Sequence, residues 1–219
     1  VPLAYKELTQ PAVEPVTLAT AKKQLVLDDT FTDDDTLVTG YIVAARQYCE
    51  KVMQRSIYER SMILSLDYFP LASECVNGAD QYAYVSSYIR SLSILVPKPG
   101  LVSVQSITYR SDANVSTTLD PSQYVVDTVS EPGRIMPSPG TFWPYQNQYI
   151  PGQVQITYTS GTYGDGVEVD NCPQTIKLAI LLLVSHWYSH REATTEATLS
   201  NIPLGVAELL SGDVFETVY

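Results

Sequence analysis

Residues 175 to 192, TIKLAILLLVSHWYSHRE, carry an unbroken apolar block from Leu178 to Val184, then two histidines four residues apart, His186 and His190. No other stretch limits the fold so tightly, because such a block belongs in a membrane span, a zinc-binding helix or a folded core. A span needs about 20 apolar residues, and this run breaks at Ser185 and His186. Histidines at i and i+4 share a helix face and can present two zinc ligands. The zinc-protease pattern also needs a glutamate directly after the first histidine, and Trp187 stands there. These are the only two histidines in the chain, and no third ligand is indicated. A core helix remains, expected from Pro173 to about Arg191, with Asn171, Cys172 and Pro173 supplying its start. Being apolar nearly all round, it should be buried on most sides. The histidines fall near its C-terminal end, where the helix dipole favours them.

The rest of the chain reads as helices first and strands after. Thr17 caps a short helix with Leu18, Ala21 and Leu25 along one side. DDTFTDDD leads into a long helix in which Leu37, Tyr41, Ala45, Tyr48 and Val52 recur at helical spacing. Thr32 and Asp35 form a capping-box pair at its start, Asp33 and Asp34 suit the positive dipole end, and Lys51 and Arg55 the other. Beyond Arg55 the period changes to strand-like segments: SIYERSMILSL, LVSVQSITYR, TTL, YVVD and IM, divided by turns at 111–114, DPSQ and EPGR. QVQITYTSG alternates Val154, Ile156 and Tyr158 against polar neighbours, as a half-buried strand does. Residues 70–92 read as a long insertion, and GTFWPYQNQYIPG as an aromatic loop. After EATTEATLSN comes IPLGVAELL, a short helix or turn. Val214, Phe215, Val218 and Tyr219 then form a tail with no partner nearby in sequence. Short-interval strands imply antiparallel hairpins, so the fold class is α+β. A helical bundle, with a short first helix, a long second and a long closing one, carries an antiparallel β block inserted before the last long helix.

No reactive constellation accompanies this pattern. The aspartates Asp28, Asp29 and Asp33 to Asp35 fail the calcium-loop register, lacking a glycine at the sixth position and a glutamate at the twelfth. GTYGDG, residues 161–166, lacks the lysine of a phosphate loop and reads as a flexible connection. No G-x-S-x-G elbow is present, so catalytic residues, metal ligands and cofactors are all expected to be none. Cys49, Cys75 and Cys172 are odd in number and never paired as C-x-x-C, which fits a reducing compartment. Asn114-Val115-Ser116 is a formal glycosylation sequon that nothing else in the sequence supports. The N-terminal residues show no signal pattern.

Charge and aromatics say more. The net charge is −11, and with no basic stripe visible, sequence-independent grip on duplex DNA is disfavoured. The 16 tyrosines exceed what one core needs, and tyrosine suits protein interfaces because it buries area and keeps a wettable end. Tyr82, Tyr84 and Tyr88 in the insertion, with Trp143, Tyr145 and Tyr149 in the aromatic loop, are therefore the candidate inter-subunit residues.

The ordered set VTLATAKKQLVLDD, LVTGYIVAARQYCEKVMQRSI, SLDYFPL, VPKPGLVSVQSITY, TLDPSQYVVDTVSEPGRIMP, FWP, VQITYTSGTYG, CPQTIKLAILLLVSHWYSHRE and IPLGVAELL resembles the head-to-tail connector, or adaptor, family of tailed bacteriophages, from about Val16 to Leu210. The resemblance implies a non-enzymatic virion protein, one connector domain over residues 1–219. Its helical core would span about 17–55 and 173–192, its β block about 56–160 and its C-terminal tail 211–219. It implies a ring, commonly a dodecamer, docked beneath the portal protein after DNA packaging and meeting a stopper or tail protein below. DNA would pass through the channel without specific binding, and no membrane is involved. The location implied is the virion neck at the portal vertex, after assembly in the bacterial host cytoplasm. Portal docking would fall to Val214, Phe215, Val218 and Tyr219, although the residues after Leu210 lack the basic, proline-containing ending of many relatives. The 70–92 insertion has no clear counterpart. The alternatives are another neck or tail-completion protein, or a histidine-dependent hydrolase or ligand-binding module.

Overall fold

The computed structural model describes residues 4–70, 92–111, 115–145, 150–191 and 204–215. Those residues form an α+β fold, with four helices bounded within them and antiparallel strands. Two compact units share the chain: a helical unit of Pro11–Tyr58 and Tyr163–Tyr219, and a β unit of Val1–Gln10 and Glu59–Thr162. The insertion core, including Tyr82, Tyr84 and Tyr88, lies outside the described residues, as do the 112–114 turn, Tyr149, Val218 and Tyr219.

In the helical unit, Thr17 caps α1 (Leu18–Gln24), its hydroxyl accepting from Thr20 N at 3.2 Å. Helix α2 (Asp35–Met53) begins at Asp35 with Asp34 as cap residue and without the expected side-chain capping bond. The reason is competition: Asp35 pairs with Lys22 at 3.0 Å, and Asp34 accepts from Tyr188 Oη and Arg191. Both carboxylates are taken by long-range partners. The buried stripe of α2 is Val38, Ile42, Ala45, Cys49 and Met53, one residue round from the expected stripe. Tyr41, Tyr48 and Val52 flank it, packed but partly exposed. Tyrosines pulled the reading off centre, because their size marks a boundary as readily as a core.

Helix α3 (Gln174–Ser189) starts at Pro173 and buries Ile176, Ala179, Ile180, Leu183 and Val184. Here the expectation of burial on most sides is corrected: Leu178 is 44% exposed, and Leu181 and Leu182 are only partly covered. The block is core on one face and surface on another. Among the described residues no helix is long and apolar enough to cross a membrane. Helix α4 (Leu204–Leu210) buries Val206 and Leu210 in the same core.

Within α2, Arg46 is 1% exposed and bonds Glu14 Oε2 at 2.7 Å and Glu50 Oε2 at 2.8 Å. The other Glu50 oxygen accepts from Ile57 N at 2.9 Å. A buried charge is tolerated only when paired in this way.

The β unit holds a five-stranded sheet in the order β1-β2-β8-β4-β5 and a three-stranded sheet in the order β3-β7-β6, antiparallel throughout. These strands are β1 (Ala4–Glu7), β2 (Arg60–Leu66), β3 (Ile94–Leu95), β4 (Leu101–Arg110), β5 (Ser116–Thr118), β6 (Tyr124–Asp127), β7 (Arg134–Pro137) and β8 (Val154–Ser160). Strand β8 sits centrally and alternates as its sequence requires, with Val154, Ile156 and Tyr158 buried. Met62 opposes Tyr158 and Leu64 opposes Ile156 across β2, so one core takes the inward residues of both strands. Strand β1 lacks a strand pattern of its own and exists through its pairing with β2.

Candidate functional site

The helical unit carries a groove of about 650 Å³ between the segment preceding α1 and the first half of α3. Val13, Pro15 and Val16 form one wall, and Leu178 and Leu181 the other. Its charged groups and its tyrosine already have partners within the chain. Tyr58 donates to Asp170 Oδ1 at 2.7 Å, Lys177 bonds Asp170 Oδ2 at 2.8 Å, and Glu14 is held by Arg46. Lys177 first, then Tyr58, holds the Asp170 carboxyl below its ordinary range, while burial pushes the Tyr58 phenol up. A pocket for a small charged ligand leaves polar groups waiting for it. This groove offers apolar walls and closed ion pairs, which suits a protein surface.

At the far end of α1 the chain turns through Val26. Leu27 N bonds Lys22 O at 2.9 Å and Val26 N bonds Lys23 O at 3.2 Å, the paired bonds of a Schellman ending. That ending needs a left-handed residue, usually glycine, and Val26 fills it at φ 57° while 91% exposed. The sequence hint was LVLDD, an apolar residue where a glycine or asparagine stop belongs.

The C-terminal segment is anchored. Tyr163 Oη donates to Asp213 Oδ1 at 2.6 Å and Arg55 Nε donates to Asp213 O at 2.7 Å. Phe215 N donates to Met53 O at 2.9 Å, and the Arg55 guanidinium lies 5.9 Å from the Phe215 ring centre. So Phe215 is half-buried on the end of α2, whereas Val214 is exposed. Partners absent nearby in sequence are supplied from about 160 residues earlier, which no local pattern announces.

In the β unit, Trp143 is 6% exposed, stacks on Phe69 at 5.0 Å and donates to Leu92 O at 2.8 Å. It is a core residue of its own chain. Tyr145 and Phe142 are each 71% exposed on the same loop. Nothing in the sequence marks Phe142, because a phenylalanine has no polar end and reads as core.

His190 Nδ1 lies 3.0 Å from His186 O and the two rings sit 4.8 Å apart at the end of α3. Among the described residues no group of three or more His, Cys, Asp or Glu is placed to hold a metal ion. Cys49 and Cys172 are buried, and burial pushes both thiols up to about 12. GTYGDG proves to be a closed turn, not the flexible connection expected. Asp165 Oδ1 accepts from the backbone N–H groups of Val167, Glu168 and Val169, and Gly166 N bonds Val169 O. Gly164 is required there, since a Cβ would lie 2.2 Å from Val169 O.

The profile of the family described as head completion protein matches residues 16–200. The chain belongs to the head completion protein family. This agrees with the connector resemblance read from the sequence, and the family is one of structural phage assembly proteins, not of enzymes. No sequence among curated proteins matches this head completion protein. Its fold is that of a chain in the neck of an empty gene transfer agent particle computed with C6 symmetry. That pair shares 18% identity at a TM-score of 0.72 over 99% of this chain and 97% of the other. A chain from the virion of the native particle scores 0.68 at 18% identity, covering 98% and 97%. One from the neck of the native particle, computed with C12 symmetry, scores 0.64 at 19%, covering 99% and 97%.

Proposed function

We propose that this head completion protein is a structural component of the phage neck, forming a ring of identical copies between the portal of the head and a stopper or tail protein. The observation that carries the reading is the uncovered apolar face of α3 at Leu178 and its groove, whose charges are internally paired. Such a surface is built to be covered by protein. The neck origin of the structurally similar chains supports the same location, and the twelve-fold symmetry of one supports a ring of twelve.

The charge suits passage of DNA. The helical unit carries fifteen acidic against seven basic side chains, the β unit nine against six. Copies repeated around a channel surround DNA with like charge, which keeps it mobile. With Phe215 held on the end of α2, Val214, Val218 and Tyr219 are the residues proposed to reach the portal. Tyr145, joined by Phe142, is the β unit's proposed contact with a neighbouring protein.

The test is copy number relative to portal in purified particles, by quantitative mass spectrometry. A ratio near one supports the portal-matched ring. A ratio near one half favours a six-fold neck component, a reading the C6 relative also fits. Absence from particles overturns both. Deleting residues 216–219, which spares the Asp213 anchor, should leave the fold intact and abolish capture by the portal protein.

A further inference from the structure

We propose that Val26 is the knob by which one copy engages the next, seated in the groove formed by Val13, Val16, Leu178 and Leu181 of the neighbouring copy. This rests on the ring reading above. Val26 is the first support. A β-branched residue at positive φ is a genuine outlier, and glycine or asparagine would close the Schellman turn without strain. At 91% exposure the side chain gains no packing in its own fold to offset that strain. A local rule broken without an internal gain points to a role outside the chain.

The groove is the second. Its walls are apolar and its charged groups already have partners, so what an occupant must bring is apolar surface. At about 650 Å³ it takes a loop tip and not one side chain alone, and the partly exposed Leu25 and Leu27 flank Val26. Because both helical units carry an acidic surplus, an apolar contact is what offsets their net repulsion, and salt screens such a contact little.

Placement is the third. Thr17 and Thr20 line the groove at the start of α1, whereas Val26 follows its other end, exposed and outside the groove lining. Seven helical residues span roughly 10 Å, and the turn bonds hold the knob at that far end. Knob and groove thus do not meet within one copy. A contact between unlike faces repeats from copy to copy and closes into a ring when its rotation permits.

The experiment uses particles assembled with full-length variants, purified and counted for copies of this chain per portal. Val26→Gly should lower that count at least tenfold, while the melting temperature of the isolated variant stays equal to wild type or rises. As a second reading, purified particles carrying Val26→Cys with Leu178→Cys, treated with a mild oxidant such as copper phenanthroline, should yield a disulfide-linked ladder of this chain that neither single variant gives. Such a bond requires the two Cα atoms within about 7 Å. A full complement of V26G copies, or the absence of a ladder, overturns the proposal and leaves the ring standing. Absence of the wild-type chain from particles instead overturns the ring reading, and this contact with it.

Discussion

Arg46 shows how much a single side chain can hold. It is buried between Glu14 and Glu50, and Glu50 in turn holds the Ile57 amide where α2 gives way to the strand region. Replacing it by leucine leaves Glu50 buried and uncompensated, a loss of about 3–5 kcal/mol. The expected readout is a lower denaturation midpoint with an unchanged slope against denaturant. The i, i+4 spacing of Arg46 and Glu50 was visible in the sequence, but an exposed helix face uses the same spacing. Only burial separates the two cases. Cys49 and Cys172 make a second residue-scale prediction. With thiols held near 12, neither forms appreciable thiolate at neutral pH. Both should resist iodoacetamide in the folded protein and alkylate fully in denaturant, as peptide mass spectrometry would show.

Among the elements, the end of α3 depends on one carboxylate. Tyr188 Oη and Arg191 both bond Asp34 Oδ2, at 2.6 and 2.7 Å, and tie α3 to the start of α2. The Tyr188 hydrogen bond first, then Arg191, holds Asp34 below its ordinary 3.8. A lowered folded value means the unfolded chain takes up the proton first on acidification. The tie therefore contributes fully above pH 3.8 and is lost as pH falls through the depressed folded value. Acid titration followed on the indole resonance of Trp187, which packs edge-on against Tyr41, should show that transition. Asp34→Asn should remove it. In the sequence, the end of the acidic run 28–35 reads as the cap of α2. Its inner carboxylates are instead structural, because Lys22, Tyr188 and Arg191 reach them from elsewhere.

On the scale of the whole molecule, the charge pattern governs what the protein leaves alone. At a net −11, with Lys22, Arg46, Arg60, Arg134, Lys177 and Arg191 among the thirteen Lys and Arg already paired with carboxylates, repulsion from phosphate outweighs the counterion release that the other cations could give. Duplex DNA should show no mobility shift with the isolated protein at physiological salt. A shift there would contradict the passive-channel part of the proposed function. The α+β class, the long helices and the central β8 strand were legible beforehand, because each is written as a local period in apolar residues. So was the order of parts that carries the family. Strand β1, the anchored tail and the placement of Trp143 were not legible. Each depends on a partner more than 50 residues away, and local pattern holds no record of such partners. The apolar block of α3 joins both cases. Its hydrophobicity alone determined that it must be covered. Which face the chain's own core covers, and which is left exposed at Leu178, was decided only when α2 and α4 packed against it.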